Sequence, residues 1–182
     1  MMSFCPETAA LVMVDIQERL FAAVPDLAPM LPKVKMLLKA AAELQLPTLV
    51  TEQYPRGLGS TIPEIKELLR PEWPVFEKTD FSCWGVEGFR HELAAKKAQT
   101  VILMGIESHV CVQQTAFDLL AQGFEVVLVA DAVASRNAYD RQTAIDLMRA
   151  SGIRVTTAEA VVFALLRTAK HPSFKAISAL VK

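Results

Sequence analysis

A carboxylate at Asp15, an ammonium at Lys78 and a thiol at Cys111 lie far apart in this 182-residue chain, yet each follows a short apolar run. An unperturbed thiol ionises near pH 8.5, so at neutral pH it is mostly protonated and needs help to become a nucleophile. A nearby lysine supplies positive charge that favours the thiolate. A nearby aspartate can accept the thiol proton and later return it to a leaving amine. Backbone amides around Glu107 and Cys111 can bind a developing oxyanion, and one such donor is typically worth about 3–4 kcal/mol of barrier. This chemistry requires no histidine. Each residue also has a plainer reading: a cysteine as a small buried apolar group, an aspartate capping a turn, a lysine as a solvated charge.

The elements that must position these groups follow from apolar periodicity. Cys111 lies in Val101-Ile102-Leu103-Met104-Gly105-Ile106-Glu107-Ser108-His109-Val110-Cys111-Val112-Gln113-Gln114-Thr115-Ala116. The run 100–104 predicts a strand buried on both faces. Gly105 breaks it, and Ser108 is a candidate N-cap for a helix starting near His109, with Val112, Ala116, Leu119 and Leu120 on one face. The amides and dipole of that first turn would favour a thiolate. Further strands are expected at 9–14, 48–51, 74–77, 124–130 and 153–156, and helices at 33–44, 62–69, 86–97, 137–150 and 158–166. Residues 52–60 read as a turn-rich loop, and the tail from 171 as weakly helical at best. Strands alternating with helices imply right-handed βαβ units and a parallel sheet, hence an α/β fold. Parallel strands put Asp15, the Glu52–Gln53 pair, Lys78, Cys111 and Asp131 on one sheet edge, where ligands bind in open α/β sheets.

The length suits a single domain spanning 1–182, with no linker or internal repeat. The net charge of −1 argues against a nucleic-acid surface. The hydrophobic fraction of 52% leaves apolar surface for a subunit interface, so a homo-oligomer is expected. Three widely spaced cysteines do not make a disulfide scaffold, which points to a reducing compartment. The start, 1–6, lacks the pattern of a signal peptide, and no apolar run is long enough to span a bilayer, so a cytoplasmic protein with no membrane partner is expected.

Four segments, Val14-Asp15-Ile16-Gln17, Lys78-Thr79, Gly105 to Ala116 and Asp131-Ala132-Val133-Ala134-Ser135-Arg136, resemble the isochorismatase-like cysteine hydrolases. That superfamily includes nicotinamidases and related amidohydrolases, and the similarity runs through almost the whole chain in the same order. The resemblance implies a three-layer αβα fold with a six-stranded parallel sheet of order 3-2-1-4-5-6. It implies a catalytic triad on Asp15, Lys78 and Cys111, a cis peptide at Ile106–Glu107 and an oxyanion hole from the amides of Glu107 and Cys111. Nicotinamidases also carry an Asp-x-His and a further His that bind a metal. The matching loop here, Thr51-Glu52-Gln53-Tyr54-Pro55-Arg56, has no histidine, and His91, His109 and His171 are widely spaced. No metal or other cofactor is therefore expected. Members that cleave isochorismate act on a vinyl ether without a cysteine, so Cys111 points to amide or other acyl chemistry.

Around the triad, Gln17 is expected to bond Asp15 or substrate, or else simply to start a helix. Tyr54, Phe81 and Trp84 are candidate walls of an apolar pocket, although Phe81 also suits core packing. Glu107 is expected to turn its carboxylate away from Cys111, because a neighbouring negative charge would raise the thiol's pKa. Asp131 is expected to fasten the loop 132–136. The resulting expectation is a metal-independent cysteine hydrolase acting on a small amide or related acyl substrate through a thioester. The alternatives are a non-catalytic scaffold of the same fold and a redox sensor pairing Cys111 with Cys83.

Overall fold

The computed structural model describes residues 5–25 and 29–182; most of the segment read above for a signal peptide lies outside them. In chain order the elements are β1 (Ala9–Val14), α1 (Glu18–Ala23), α2 (Met30–Glu43), β2 (Thr48–Gln53), α3 (Pro55–Leu58), α4 (Pro63–Lys66) and β3 (Val75–Lys78). Then follow α5 (Glu87–Ala95), β4 (Thr100–Ile106), a π-helical turn (Ser108–Val112), α6 (Gln113–Ala121), β5 (Glu125–Ala134), α7 (Ala138–Ala150), β6 (Arg154–Thr156), α8 (Ala158–Leu166) and α9 (Phe174–Leu180). All neighbouring strands pair in parallel, in the order β3-β2-β1-β4-β5-β6.

Alternation along the strands builds two cores, one on each face of the sheet. Leu11, Met13, Ile102 and Met104 face one way, against Val34, Leu37 and Leu38 of α2 and Val161 and Val162 of α8. Val12, Val14, Val101 and Leu103 face the other way, against Phe89 and Leu93 of α5, Ala116 and Leu119 of α6 and Met148 of α7. β1 and β4 are buried along their whole length, as expected for the central strands of a doubly covered sheet.

Several expected boundaries shift, each for a physical reason. The helix expected over 62–69 is regular only at Pro63–Lys66; turn-type bonds such as Leu68 N–H to the Ile65 carbonyl replace it beyond. Residues 52–60 are not all loop, because β2 continues to Gln53 and α3 follows. β5 continues through Asp131 to Ala134: between paired positions β4 advances from Leu103 to Gly105 while β5 advances from Leu128 to Val133. Asp131 sits in this bulge, and its Oδ1 accepts the Ala158 amide at 2.7 Å, so it caps α8 and does not fasten the loop 132–136. The tail is more ordered than expected, since α9 buries Ile177 against the α2–α8 face.

Candidate active site

β1 delivers Asp15 to the sheet edge in a left-handed conformation (φ 51°), which aspartate tolerates better than most residues. Its carboxylate lies completely buried. Lys78 closes β3 two strands away, and its Nζ donates to Asp15 Oδ2 at 2.6 Å, with both side chains inaccessible to solvent. Thr51, at the end of the intervening β2, donates through Oγ1 to Asp15 Oδ1 at 2.7 Å. The ammonium has further acceptors in Gln53 Oε1 at 2.7 Å and the carbonyls of Phe81 at 3.0 Å and Asp80 at 3.3 Å. A pair taken this far from water persists only when such additional bonds satisfy it.

Cys111 reaches the same cluster from the π-helical turn after β4. In that turn the Val112 amide reaches back to the Glu107 carbonyl at 3.1 Å, and π turns recur at functional sites. The peptide Ile106–Glu107 is cis, as the resemblance implies. Ser108 does not act as an N-cap: its hydroxyl donates to the Ala134 carbonyl at 3.0 Å, tying the turn to the end of β5. Cys111 is 6% exposed, whereas Cys83 is sealed off at 0%.

Burial first, and then the charge of the Asp15 carboxylate, push the Cys111 thiol from 9.0 up to about 12, against an opposing pull from Lys78. The dipole and amides of the turn therefore do not leave a standing thiolate, contrary to the expectation from position alone. Lys78 is itself held above its ordinary value: burial pulls it down, but the charges of Asp15, Cys83 and Cys111 outweigh that loss. Cys83 rises to about 11, through burial first and then Asp15, and its Sγ contacts Thr51 Oγ1 at 3.7 Å.

Glu107 turns from the thiol toward the solvent side, where Oε1 accepts Arg136 Nε at 2.8 Å. His109 also faces β5, with Nδ1 3.0 Å from Ser135 Oγ. Gln17 is fully buried and stands at the N-cap of α1, as its helix-start reading expects. Its main-chain amide donates to the Asp15 carbonyl at 2.8 Å, but its side chain does not bond the Asp15 carboxylate. Its Nε2 donates to the carbonyls of Gln53 (2.9 Å) and Gly59 (2.7 Å), and its Oε1 accepts the Gln53 amide (2.7 Å). It thus staples both ends of the loop that carries Tyr54. Tyr54 and Phe81 are exposed at 55% and 53%, which rules out the core alternative for Phe81. A cleft of about 490 Å³ beside Lys78 is lined by Tyr54, Arg56, Glu77, Asp80 and Val86. Phe81 and Trp84 line a neighbouring depression, where Trp84 also packs edge-on against Phe124 at 5.8 Å between ring centres.

Sequence reasoning missed the roles of Thr51 and Gln53, although their positions two apart at the end of a strand place them on one face. Where the nicotinamidase pattern has metal ligands, Glu52 takes the amide and hydroxyl of Thr61 (2.6 and 2.7 Å), and Gln53 takes Lys78. Among the described residues, no group of three or more His, Cys, Asp or Glu side chains is arranged to hold a metal ion.

Residues 9–160 match the isochorismatase domain family. Over 177 residues the chain is 41% identical to isochorismatase domain-containing protein 1 of Salmo salar, covering 97% of this chain and 62% of that longer relative. Among solved structures, MAR1 ribonuclease from Caenorhabditis elegans superposes with a TM-score of 0.93 at 41% identity, covering 98% of this chain and 92% of that one. YcaC is similar in two structures. The Escherichia coli protein, described as an octameric hydrolase of unknown specificity, gives a TM-score of 0.92 at 27% identity, covering 99% of this chain and 89% of its own. The Pseudomonas aeruginosa protein, carrying hexane-2,5-diol and covalent acrylamide, gives 0.91 at 28%, covering 98% and 91%. A family match over most of the length, joined to a relative 41% identical across 97% of the chain, means that the chain belongs to the isochorismatase domain family.

Proposed function

We propose that the protein is a metal-independent cysteine hydrolase of a small amide or related acyl compound, working through a thioester. The observation that carries this reading is the buried Lys78–Asp15 pair at 2.6 Å, whose two charges both act on the Cys111 thiol. A thiol held near 12 stays protonated until substrate arrives, so its proton passes to Asp15 as sulfur attacks the carbonyl carbon. The C–O π electrons move onto oxygen, and the amides of Glu107 and Cys111, flanking the cis peptide and the π turn, serve as donors to that oxyanion. Collapse breaks the C–N bond, and Asp15 returns its proton to the departing amine. Water, deprotonated by Asp15, then cleaves the thioester, releases the acid and regenerates the Cys111 thiol. Lys78 remains charged throughout.

The covalent acrylamide on the Pseudomonas YcaC relative supports an amide-sized entry to a reactive group. The cleft beside Lys78, which neither Cys111 nor Asp15 lines, offers Arg56 beside Glu77 and Asp80, a mixed lining suited to a small polar molecule. The unbridged cysteines support a reducing, cytoplasmic setting, and no helix among the described residues is long and apolar enough to cross a membrane. A screen of small amides alongside a single-stranded oligoribonucleotide tests the proposal. We expect turnover of an amide, an acyl adduct on Cys111 by mass spectrometry, and a loss of at least about 10³-fold in Cys111→Ala. Full activity in Cys111→Ala, or cleavage of the oligoribonucleotide alone, would overturn it.

A further inference from the structure

Asp15 and Lys78 stand on β1 and β3, which are not neighbours; β2 lies between them. Its last polar residues, Thr51 and Gln53, are two positions apart and so project from the same face. Thr51 reaches one way, giving its hydroxyl proton to Asp15 Oδ1 at 2.7 Å. Gln53 reaches the other way, offering Oε1 to Lys78 Nζ at 2.7 Å. The Gln53 amide cannot swing freely, because its Nε2 is held by the Thr79 carbonyl at 2.7 Å. An ammonium has three protons. Asp15 Oδ2 (2.6 Å), Gln53 Oε1 (2.7 Å) and the Phe81 carbonyl (3.0 Å) account for all three, with the Asp80 carbonyl at 3.3 Å as a weaker fourth acceptor.

From this arrangement we propose that Thr51 and Gln53 are positioning residues: β2 clamps the pair from between, so that Lys78 is a proton-locked, stationary charge and Asp15 alone moves the proton. The inference deepens the hydrolase reading and rests on it for the role of Asp15. With every Lys78 proton bonded, the ammonium has none to offer a leaving group. With Oδ1 held by Thr51 and Oδ2 by Lys78, the carboxylate has a fixed orientation in which its remaining lone pairs serve the thiol. Removing a hydrogen bond made to the ionised carboxylate raises its proton affinity.

Two measurements on the full chain test this. The first follows the exchange of the Lys78 ammonium protons by ¹⁵N NMR, which needs no substrate. The locked ammonium should exchange slowly in the wild type, and at least about tenfold faster in Gln53→Met, which removes the acceptor without adding charge. Equal exchange in the two would overturn the lock. The second follows the pH dependence of iodoacetamide alkylation on the Cys111 peptide. Thr51→Val should move the acid limb upward by about half a unit or more, Thr51→Ser should restore it, and Thr48→Val should leave it in place. Thr48 is a fair control because it is buried on the same strand with its hydroxyl bonded locally to the Leu46 carbonyl at 3.1 Å. A uniform loss of rate in Thr51→Val with no shift of the limb would overturn the positioning role. Asp15→Asn separates the two claims. If its alkylation profile matches the wild type, Asp15 is not the base and the hydrolase reading itself fails; if the acid limb disappears while Thr51→Val leaves it unmoved, only the clamp fails.

Discussion

A sulfur held near 12 and a second held near 11 make the folded protein sensitive to alkali in a way that neither residue would show on a surface. Both values lie above the ordinary 9.0, so the folded state keeps its protons where the unfolded chain has lost them. The stabilisation is fully present below the ordinary value and is lost as pH climbs through the folded one. Lys78, also raised, acts in the same sense at higher pH. Denaturant midpoints measured from about pH 8 to about pH 10.5 should therefore fall steadily above about pH 9, with each thiol contributing at most about 1.4 kcal/mol per pH unit. Cys83→Ala should flatten that slope by roughly half. A midpoint that stays level across the range would mean that the thiols are not held neutral.

Among the elements, the β1–β4 contact sets where the chemistry sits. Gly105 has a φ of 132°, and a Cβ there would lie 2.0 Å from the Val14 carbonyl oxygen, immediately before Asp15. Gly105→Ala should cost about 3 kcal/mol or more and lower turnover as well, because relief of the clash displaces the Asp15 turn. Gly123→Ala, at a similar positive φ of 87° but with no atom within 4 Å of the added carbon, should cost only about 1 kcal/mol and spare activity; melting curves and rates on both variants check this. What was legible in the sequence follows the same logic. The run 9–14 and the helix 158–166 carry unbroken patterns, and both formed with the expected bounds. Asp131 interrupts the apolar run of β5, so the strand reads as ending there, whereas the carboxylate turns out of the bulge to cap α8. The last helix is only seven residues long with polar neighbours, too short to register a period, and its burial of Ile177 depends on α2 and α8 being already in place. Thr51 and Gln53 were visible as strand-end polar residues, but their partners depend on which strands flank β2, information that no local spacing contains.

For the molecule as a whole, the order β3-β2-β1-β4-β5-β6 gathers residues 15, 78 and 111 at one edge while leaving sizeable apolar side chains outside. Tyr54, Phe81, Tyr139, Leu147 and Phe163 are all exposed. Exposed apolar groups of this size predict self-association into a homo-oligomer. Light scattering after size exclusion should give a mass that is a multiple of 20.0 kDa, and a single-chain mass at every concentration tried would rule the assembly out. Gln17 has a consequence at this scale too. Because one buried amide grips the carbonyls of Gln53 and Gly59, the residues between them form a cassette mounted on two fixed posts. Their closure is already secured by the posts, so the proposed function predicts that Pro55 to Leu58 can be rewritten to change which molecules the cleft admits while the Asp15–Lys78 pair beneath keeps its geometry.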